Sequence, residues 1–250
     1  MSYLDVGQGD SILVQIPGSK NVLIDAGDND QGKKVVSYLQ SRGVKRLDAV
    51  IWTHSHADHI GGADVVINAL DIGQVIMPKE TSNTKTFQDL IKALNVKGLK
   101  MTEAKAGLKL DLAPQIVAQL LAPNSDGYEE INDYSAVLQL TYGQNTFLFE
   151  SDAQTQSEHE MIKAGYNLKA DVLKVGHHGS HTSTSTEFLT KVHPNYAVIS
   201  VGIGNVYGHP AIDTLNKLRK AGVKVYRTDE SGTIIAESDG INITIRGERD

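Results

Sequence analysis

Thr53-His54-Ser55-His56-Ala57-Asp58-His59-Ile60-Gly61-Gly62 follows directly on the apolar run that begins at Leu47. On a strand alternate residues share a face, so His54 and His56 are expected to point together. Where the chain leaves the strand, Asp58 and His59 reach a second point nearby. One short segment thus offers two pairs of ligands to two adjacent ions. Imidazole and carboxylate suit zinc, manganese or iron, and a chain without cysteine has these as its ligands. The competing reading is a solvated polar loop, but three histidines and an aspartate within six residues are too dense for that.

Upstream, Ser11–Ile16 and Asn21–Asp25 read as a hairpin turned by Pro17-Gly18-Ser19, and Gln31–Arg42 as a helix stopped by Gly43. Downstream, Ala63–Leu70 and Thr84–Leu94 read as helices around a strand at Gln74–Met77. From Ile116 the pattern turns β-rich: Ile116–Leu121, Ser135–Tyr142 and Thr146–Glu150. Helices at Ser157–Ala164, Thr186–Val192 and Ile212–Ala221 then alternate with strands at Asp171–Val175, Tyr196–Val201 and Lys224–Arg227. Strands near Thr233–Glu237 and Ile241–Ile245 close the chain. Two sheets packed face to face and covered by helices accommodate this order, as one α/β domain over residues 1–250.

The composition narrows the function. Forty per cent hydrophobic residues support a core, and the absence of cysteine excludes disulfides, thiolate metal sites and a cysteine nucleophile. A net charge of −6 argues against indiscriminate coating of nucleic acid. No apolar run is long enough for a membrane span and the N-terminus lacks a signal peptide, so the chain reads as soluble. Because a strand-like run starts almost at once, a domain cut from a longer protein is an equal reading. The expected location is cytoplasmic for a chain standing alone, and extracytoplasmic for one cut from a membrane protein.

The signature resembles the His-x-His-x-Asp-His motif of the metallo-β-lactamase superfamily, and Leu23-Ile24-Asp25-Ala26-Gly27 and Phe149-Glu150-Ser151-Asp152-Ala153 resemble its neighbouring motifs. Leu4-Asp5-Val6-Gly7-Gln8-Gly9-Asp10-Ser11, Val172-Leu173-Lys174-Val175-Gly176-His177-His178-Gly179-Ser180 and Asn205-Val206-Tyr207-Gly208-His209-Pro210 are together similar to the C-terminal metallo-β-lactamase-like domain of ComEC competence proteins. The resemblance implies a four-layer αββα sandwich holding one or two divalent ions, Mn2+ or Zn2+, at the edge between the sheets. It implies DNA, single- or double-stranded, as substrate, and a tether to a membrane channel in a full-length protein.

The resemblance also distributes roles. Asp152 is a carboxylate bridging both ions, against a plain helix cap. Asp25 either makes a turn or orients a ligand histidine. His177 and His178 are adjacent, and adjacent residues on an extended chain face opposite ways, so one of them is expected to reach the ions. His209, placed before Pro210 at the first turn of a helix, is the last ligand beside Asp58 and His59 or a proton donor there. The metal set is therefore His54, His56, Asp58, His59, Asp152, His178 and His209, with Asp58, His178 and His209 closest to catalysis. Asp10 is expected at the rim, and Ser180, His181 and Asn205 at a phosphate. His159 and His193 read as surface residues.

There is one departure from the wider superfamily: residues 60 to 158 contain no histidine, and Asn132-Asp133-Tyr134-Ser135 stands where one is expected. The ion beside His54 and His56 then either binds weakly or takes a ligand from His177 or His178. Ser151, where glycine usually precedes the bridging aspartate, is a smaller one.

Two adjacent cations activate a water and neutralise charge in an in-line displacement, and the same machinery hydrolyses acyl compounds. Met77–Leu110 carries seven lysines against three acidic residues, a strip able to follow a phosphate backbone or simply a solvated surface. Phe87 and Tyr128 are the nearest stacking candidates. The leading expectation is a metal-dependent nuclease or phosphodiesterase serving DNA uptake. The alternatives are an acyl hydrolase of the thioesterase or β-lactamase type, an esterase of small phosphodiesters, and a catalytically weak DNA-binding module.

Overall fold

The computed structural model describes residues 1–249. The first half of the chain forms β1 (Ser2–Tyr3), β2 (Ile12–Gln15), β3 (Asn21–Ile24), α1 (Gly32–Ser41), β4 (Arg46–Ile51), α2 (Ala57–Ile60), α3 (Ala63–Ala69), β5 (Asp71–Met77), α4 (Lys85–Lys97) and β6 (Met101–Glu103). The second half forms β7 (Lys109–Leu110), β8 (Ile116–Ala122), β9 (Val137–Tyr142), β10 (Asn145–Phe149), α5 (Thr155–Lys163), β11 (Val172–Lys174), α6 (Thr186–Val192), β12 (Tyr196–Ile199), α7 (Ile212–Lys220), β13 (Lys224–Arg227) and α8 (Thr228–Ser231). β14 (Ile234–Ser238) and β15 (Ile243–Gly247) then return to the first sheet.

The strand orders are β15-β14-β1-β2-β3-β4-β5-β6 in one sheet and β13-β12-β11-β10-β9-β8-β7 in the other. Side-chain alternation explains the layering. Ile12 and Val14 on β2, with Phe147 and Phe149 on β10, fill the space between the sheets. Leu13, from the opposite face of β2, packs under the helices of the first sheet with Leu39, Trp52 and Leu94. Leu148, between the two phenylalanines, packs under the second sheet's helices with Met161, Phe188 and Leu218. Strands apolar on both faces therefore produce helix, sheet, sheet and helix layers, the sandwich expected from the sequence.

In each sheet the parallel strands direct their C-terminal ends to one edge. β3, β4 and β5 are mutually parallel, as are β10, β11 and β12. Asp25, the signature, Asp152 and His177-His178 all follow such ends, so chain topology gathers them. Glycine enables the closest approach: a Cβ on Gly9 would sit 2.3 Å from the Asp58 carbonyl, and one on Gly62 2.4 Å from that of Ala26.

Candidate metal centre

The strand carrying the signature ends at Ile51, and His56 is already the N-cap of α2. His54 and His56 thus converge across a bend rather than along one strand face. Their rings meet edge to face at 4.8 Å, with His54 Nε2 3.1 Å from His56 Nδ1. Asp58 and His59 sit in the single turn of α2, which swings them to the other side of the same point.

That point is Asp152. Its Oδ2 lies 3.3 Å from His59 Nε2, 3.6 Å from His178 Nε2, 3.7 Å from His177 Nε2 and 4.0 Å from His54 Nε2. Asp58 Oδ2 lies 3.2 Å from His178 Nε2 and 3.9 Å from His59 Nε2. The donor atoms of Asp58, His59, Asp152 and His178 all fall within 4.8 Å of one another. His59 Nε2 and Asp152 Oδ1 are buried without a hydrogen-bond partner, an expensive state for polar atoms unless something else binds them. This donor set fits a divalent ion. His54 and His177 also come within 4.0 Å of Asp152 Oδ2, His56 lies against His54, and Ser135 stands in the segment that lacks the expected histidine. Its Oγ is 3.4 Å from His54 Nδ1 and accepts the Asp152 N–H at 3.2 Å.

Partners behind the rings fix which nitrogen faces the centre. His59 Nδ1 donates to Asp25 Oδ2 at 2.7 Å, and Asp25 is itself held by the Thr53 N–H and hydroxyl. His178 Nδ1 donates to the Ser200 carbonyl at 3.0 Å. Asp25 therefore takes the orienting position rather than that of a plain turn residue. Asp10 is no rim residue: it is buried beneath His178, with Oδ1 3.6 Å from His178 Nδ1 and Oδ2 2.6 Å from the buried Lys174 Nζ. Its partner comes from another sheet, so no local pattern shows it.

The loop after β11 corrects the alternation argument. His177 and His178 have φ of 47° and 54°, left-handed values, so the chain is not extended there and both rings reach Asp152. Asp25 and Ser151 are left-handed too (φ 57° and 53°). Strain of this kind persists only when surroundings enforce it. Ser151 is held by its hydroxyl, which donates to Thr53 Oγ1 at 2.7 Å. Glu150, which the sequence reading overlooked, clamps the histidine loop by accepting the Gly176 N–H at 2.9 Å, the Thr184 N–H at 3.1 Å and the Thr184 hydroxyl at 2.8 Å. Burial, with Glu158 alongside, pushes its carboxyl well up.

His209 is not in the four-residue set. It hangs from the loop after β12, one strand beyond His178, with its ring 5.5 Å from that of His177. The position beside Asp58 and His59 expected for it is taken by His178. Nor does it lie in a helix: α7 starts at Ile212 with Ala211 as its N-cap. Asn205 does not face a phosphate, because its amide braces this loop. Nδ2 donates to the Gly202 and His209 carbonyls, and Oδ1 accepts from the Tyr207 and His209 N–H groups. Ser180 Oγ likewise bonds within its own loop to Thr182, and His181 is exposed. His159 and His193 are exposed as expected.

A cavity of about 310 Å³ opens on the centre, with Asp58, Asp152, His56, His177, His178 and His209 in its wall and Gln8 and Tyr207 at its edge. The lysine strip does not converge here. Lys85 pairs with Asp89 at the start of α4, while Lys97 at its far end bonds the Asn68 carbonyl. Tyr128 is buried with its hydroxyl on Glu160, and Phe87 packs on the core, so neither serves as a stacking surface.

Burial alone would raise the two central carboxylates, but His59 and His178 outweigh it and hold Asp58 and Asp152 well below the usual range. Burial would likewise deprotonate His59, yet Asp152 and Asp25 hold it well above its ordinary value, and Asp152 and Asp58 raise His178. Burial lowers His54 and His177, and takes His209 down to about 4. Two imidazolium ions thus compensate the carboxylates when no metal is bound, and a metal must displace their protons. Titration of metal-free protein at pH 7 is expected to release about two protons per chain, with affinity rising as pH increases because both imidazoles are held above their ordinary value. Calorimetry in buffers of different ionisation enthalpy measures this; release of no protons would contradict it.

Residues 4–203 match the family model of the metallo-beta-lactamase superfamily. The chain belongs to that superfamily. Among curated relatives, it is 34% identical to ComE operon protein 3 of Bacillus subtilis over 94% of this chain and 32% of that protein. It is 31% identical to Recombination protein 2 of Haemophilus influenzae over 92% of this chain and 28% of that protein. It thus spans about a third of the length of these relatives. The crystal structure of CmlA, a diiron beta-hydroxylase from Streptomyces venezuelae, superposes with a TM-score of 0.59 at 13% identity, covering 90% of this chain and 52% of that one, a likeness of fold. The superfamily implies divalent-metal binding, and the candidate donors of this chain lie where the two sheets' parallel strands end. Among the described residues no helix is long and apolar enough to cross a membrane.

Proposed function

We propose that this chain is a metal-dependent phosphodiesterase that cleaves DNA, acting as the hydrolytic part of a longer DNA-uptake protein. The observation that carries the reading is the position of Asp152 Oδ2, within 4.0 Å of ring nitrogens of His54, His59, His177 and His178. A carboxylate shared by so many imidazoles would hold one or two divalent ions together with them, and these would supply Lewis-acid chemistry for an in-line displacement. Relatives named for competence and recombination support DNA as the substrate. Bound Mn2+ or Zn2+ would supply the Lewis acid and the activated water.

The chain's own groups do the rest. Asp58, kept ionised by its two histidines, stays aimed at the centre through His178. Asp25 and the Ser200 carbonyl keep Nε2 of His59 and His178 turned inward. His209, neutral at pH 7, offers an N–H to a phosphate oxygen at the cavity wall.

The test is a substrate panel after metal removal and add-back: labelled linear and circular DNA, a chromogenic phosphodiester, a thioester and a cephalosporin. Cleavage of DNA and phosphodiester alone is expected. Turnover of the thioester or cephalosporin without the phosphodiester would make the chain an acyl hydrolase. Less than one equivalent of metal retained, with DNA still bound, would make it a binding module.

A further inference from the structure

We infer that the loop from Ile203 to Ile212 is a platform for unpaired nucleobases, so that the site selects single-stranded or frayed DNA over continuous duplex. The inference deepens the phosphodiesterase reading and rests on it. Eight large apolar side chains are exposed among the described residues, and four of them fall in this loop and the residue that ends it: Ile203 (74%), Val206 (92%), Tyr207 (68%) and Ile212 (76%). Scattered singly they would mean little; four within ten residues, with Tyr207 lining the cavity, mark a surface that meets something apolar.

The loop is held rigidly in that exposed state. The four bonds of the Asn205 amide close it internally. The Gly202 N–H donates to Gln8 Oε1 at 3.2 Å, and the Ala211 N–H donates to the Gly179 carbonyl at 2.9 Å. Its apolar side chains are thus displayed by a fixed frame.

Position and shape name the occupant. Tyr207 borders the same cavity as Asp58 and Asp152, and its ring stacks on that of His209 at 5.8 Å and 25°. The imidazole lies offset beside the phenol, which is largely exposed and so has ring surface for a flat partner. A phosphodiester seated at Asp152 places its neighbouring bases beside this ring. A base inside a duplex has both faces covered by its neighbours; an unpaired one can present a face. No lysine or arginine lines the cavity, so affinity there is expected to come from stacking more than from ammonium–phosphate pairing.

The experiment compares kcat/KM of the metal-loaded chain on oligothymidylate, on an abasic deoxyribose-phosphate oligomer of the same length and on closed circular duplex. Stacking of a base is worth about 5- to 150-fold, so oligothymidylate should exceed the abasic oligomer by about tenfold or more, mainly through KM. In the Val206→Ser, Tyr207→Leu double variant this advantage should fall below about threefold. Equal rates on oligothymidylate and the abasic oligomer would overturn the platform while leaving the hydrolase intact. Absence of cleavage on every phosphodiester would remove the proposed function and the platform with it. If the double variant keeps the base advantage but loses binding to anionic lipid vesicles, the loop serves a lipid surface and the inference fails.

Discussion

Asp152→Ala is expected to leave the chain with less than one bound divalent ion and to lower kcat/KM for a phosphodiester by about 10³-fold or more. The reason is geometric: one oxygen of this buried carboxylate lies within 4.0 Å of four imidazoles contributed by two other segments. No other acidic group takes its place, because Asp58 approaches only His59 and His178, and Asp25 stands behind His59. Asp152→Asn separates charge from shape. It keeps the backbone N–H that donates to Ser135 and the side-chain volume, so its thermal midpoint should stay within a few degrees of the parent while both ions weaken. Elemental analysis after dialysis and steady-state rates on a chromogenic phosphodiester measure both variants. Full retention of two ions in Asp152→Ala, with a rate within tenfold of the parent, would show that the two donor sets do not share this residue.

The parts of this centre that were legible in the sequence are those whose meaning is local. Residues 53–62 declare themselves because ligand spacing is a short-range property, and the sandwich follows from strands such as Ile12–Gln15 and Asn145–Phe149 with apolar residues on both faces. What escaped is set by tertiary structure. The use of both His177 and His178 depends on left-handed backbone at two successive residues, which Gly176 and Gly179 flank but do not announce. Asp10 reads as a rim residue because Lys174, its partner, lies 164 positions away on the other sheet. Tyr207 stands inside a motif whose residues carry no local mark of its exposure. Phe87 and Tyr128 drew attention only through proximity in sequence to the lysines, and packing uses both for other ends.

The same buried pair gives the largest expected effect on stability. Lys174 Nζ lies 2.6 Å from Asp10 Oδ2, and both side chains are essentially inaccessible to water. Removing one partner of such a pair leaves the other charged and unsolvated, at a cost of about 3–5 kcal/mol. Lys174→Met should therefore lose about that much in urea unfolding of the metal-free chain, measured without metal so that ligand binding does not add to the parent's stability. Removing both charges is different. Asp10→Leu with Lys174→Met replaces the pair by apolar volume, and should recover most of the loss. The pH dependence has a definite sign. Burial would lower Lys174, but Asp10 and Asp152 outweigh it and hold its ammonium above the ordinary value. A lysine raised on folding contributes stability that is complete below its unfolded pKa and is lost only as pH rises through the folded one. The gap between parent and Lys174→Met should consequently stay flat from about pH 6 to 9. A loss below about 1 kcal/mol at pH 7 would mean that water or a rearranged neighbour reaches Asp10, and that the support beneath His178 is softer than the 2.6 Å contact implies.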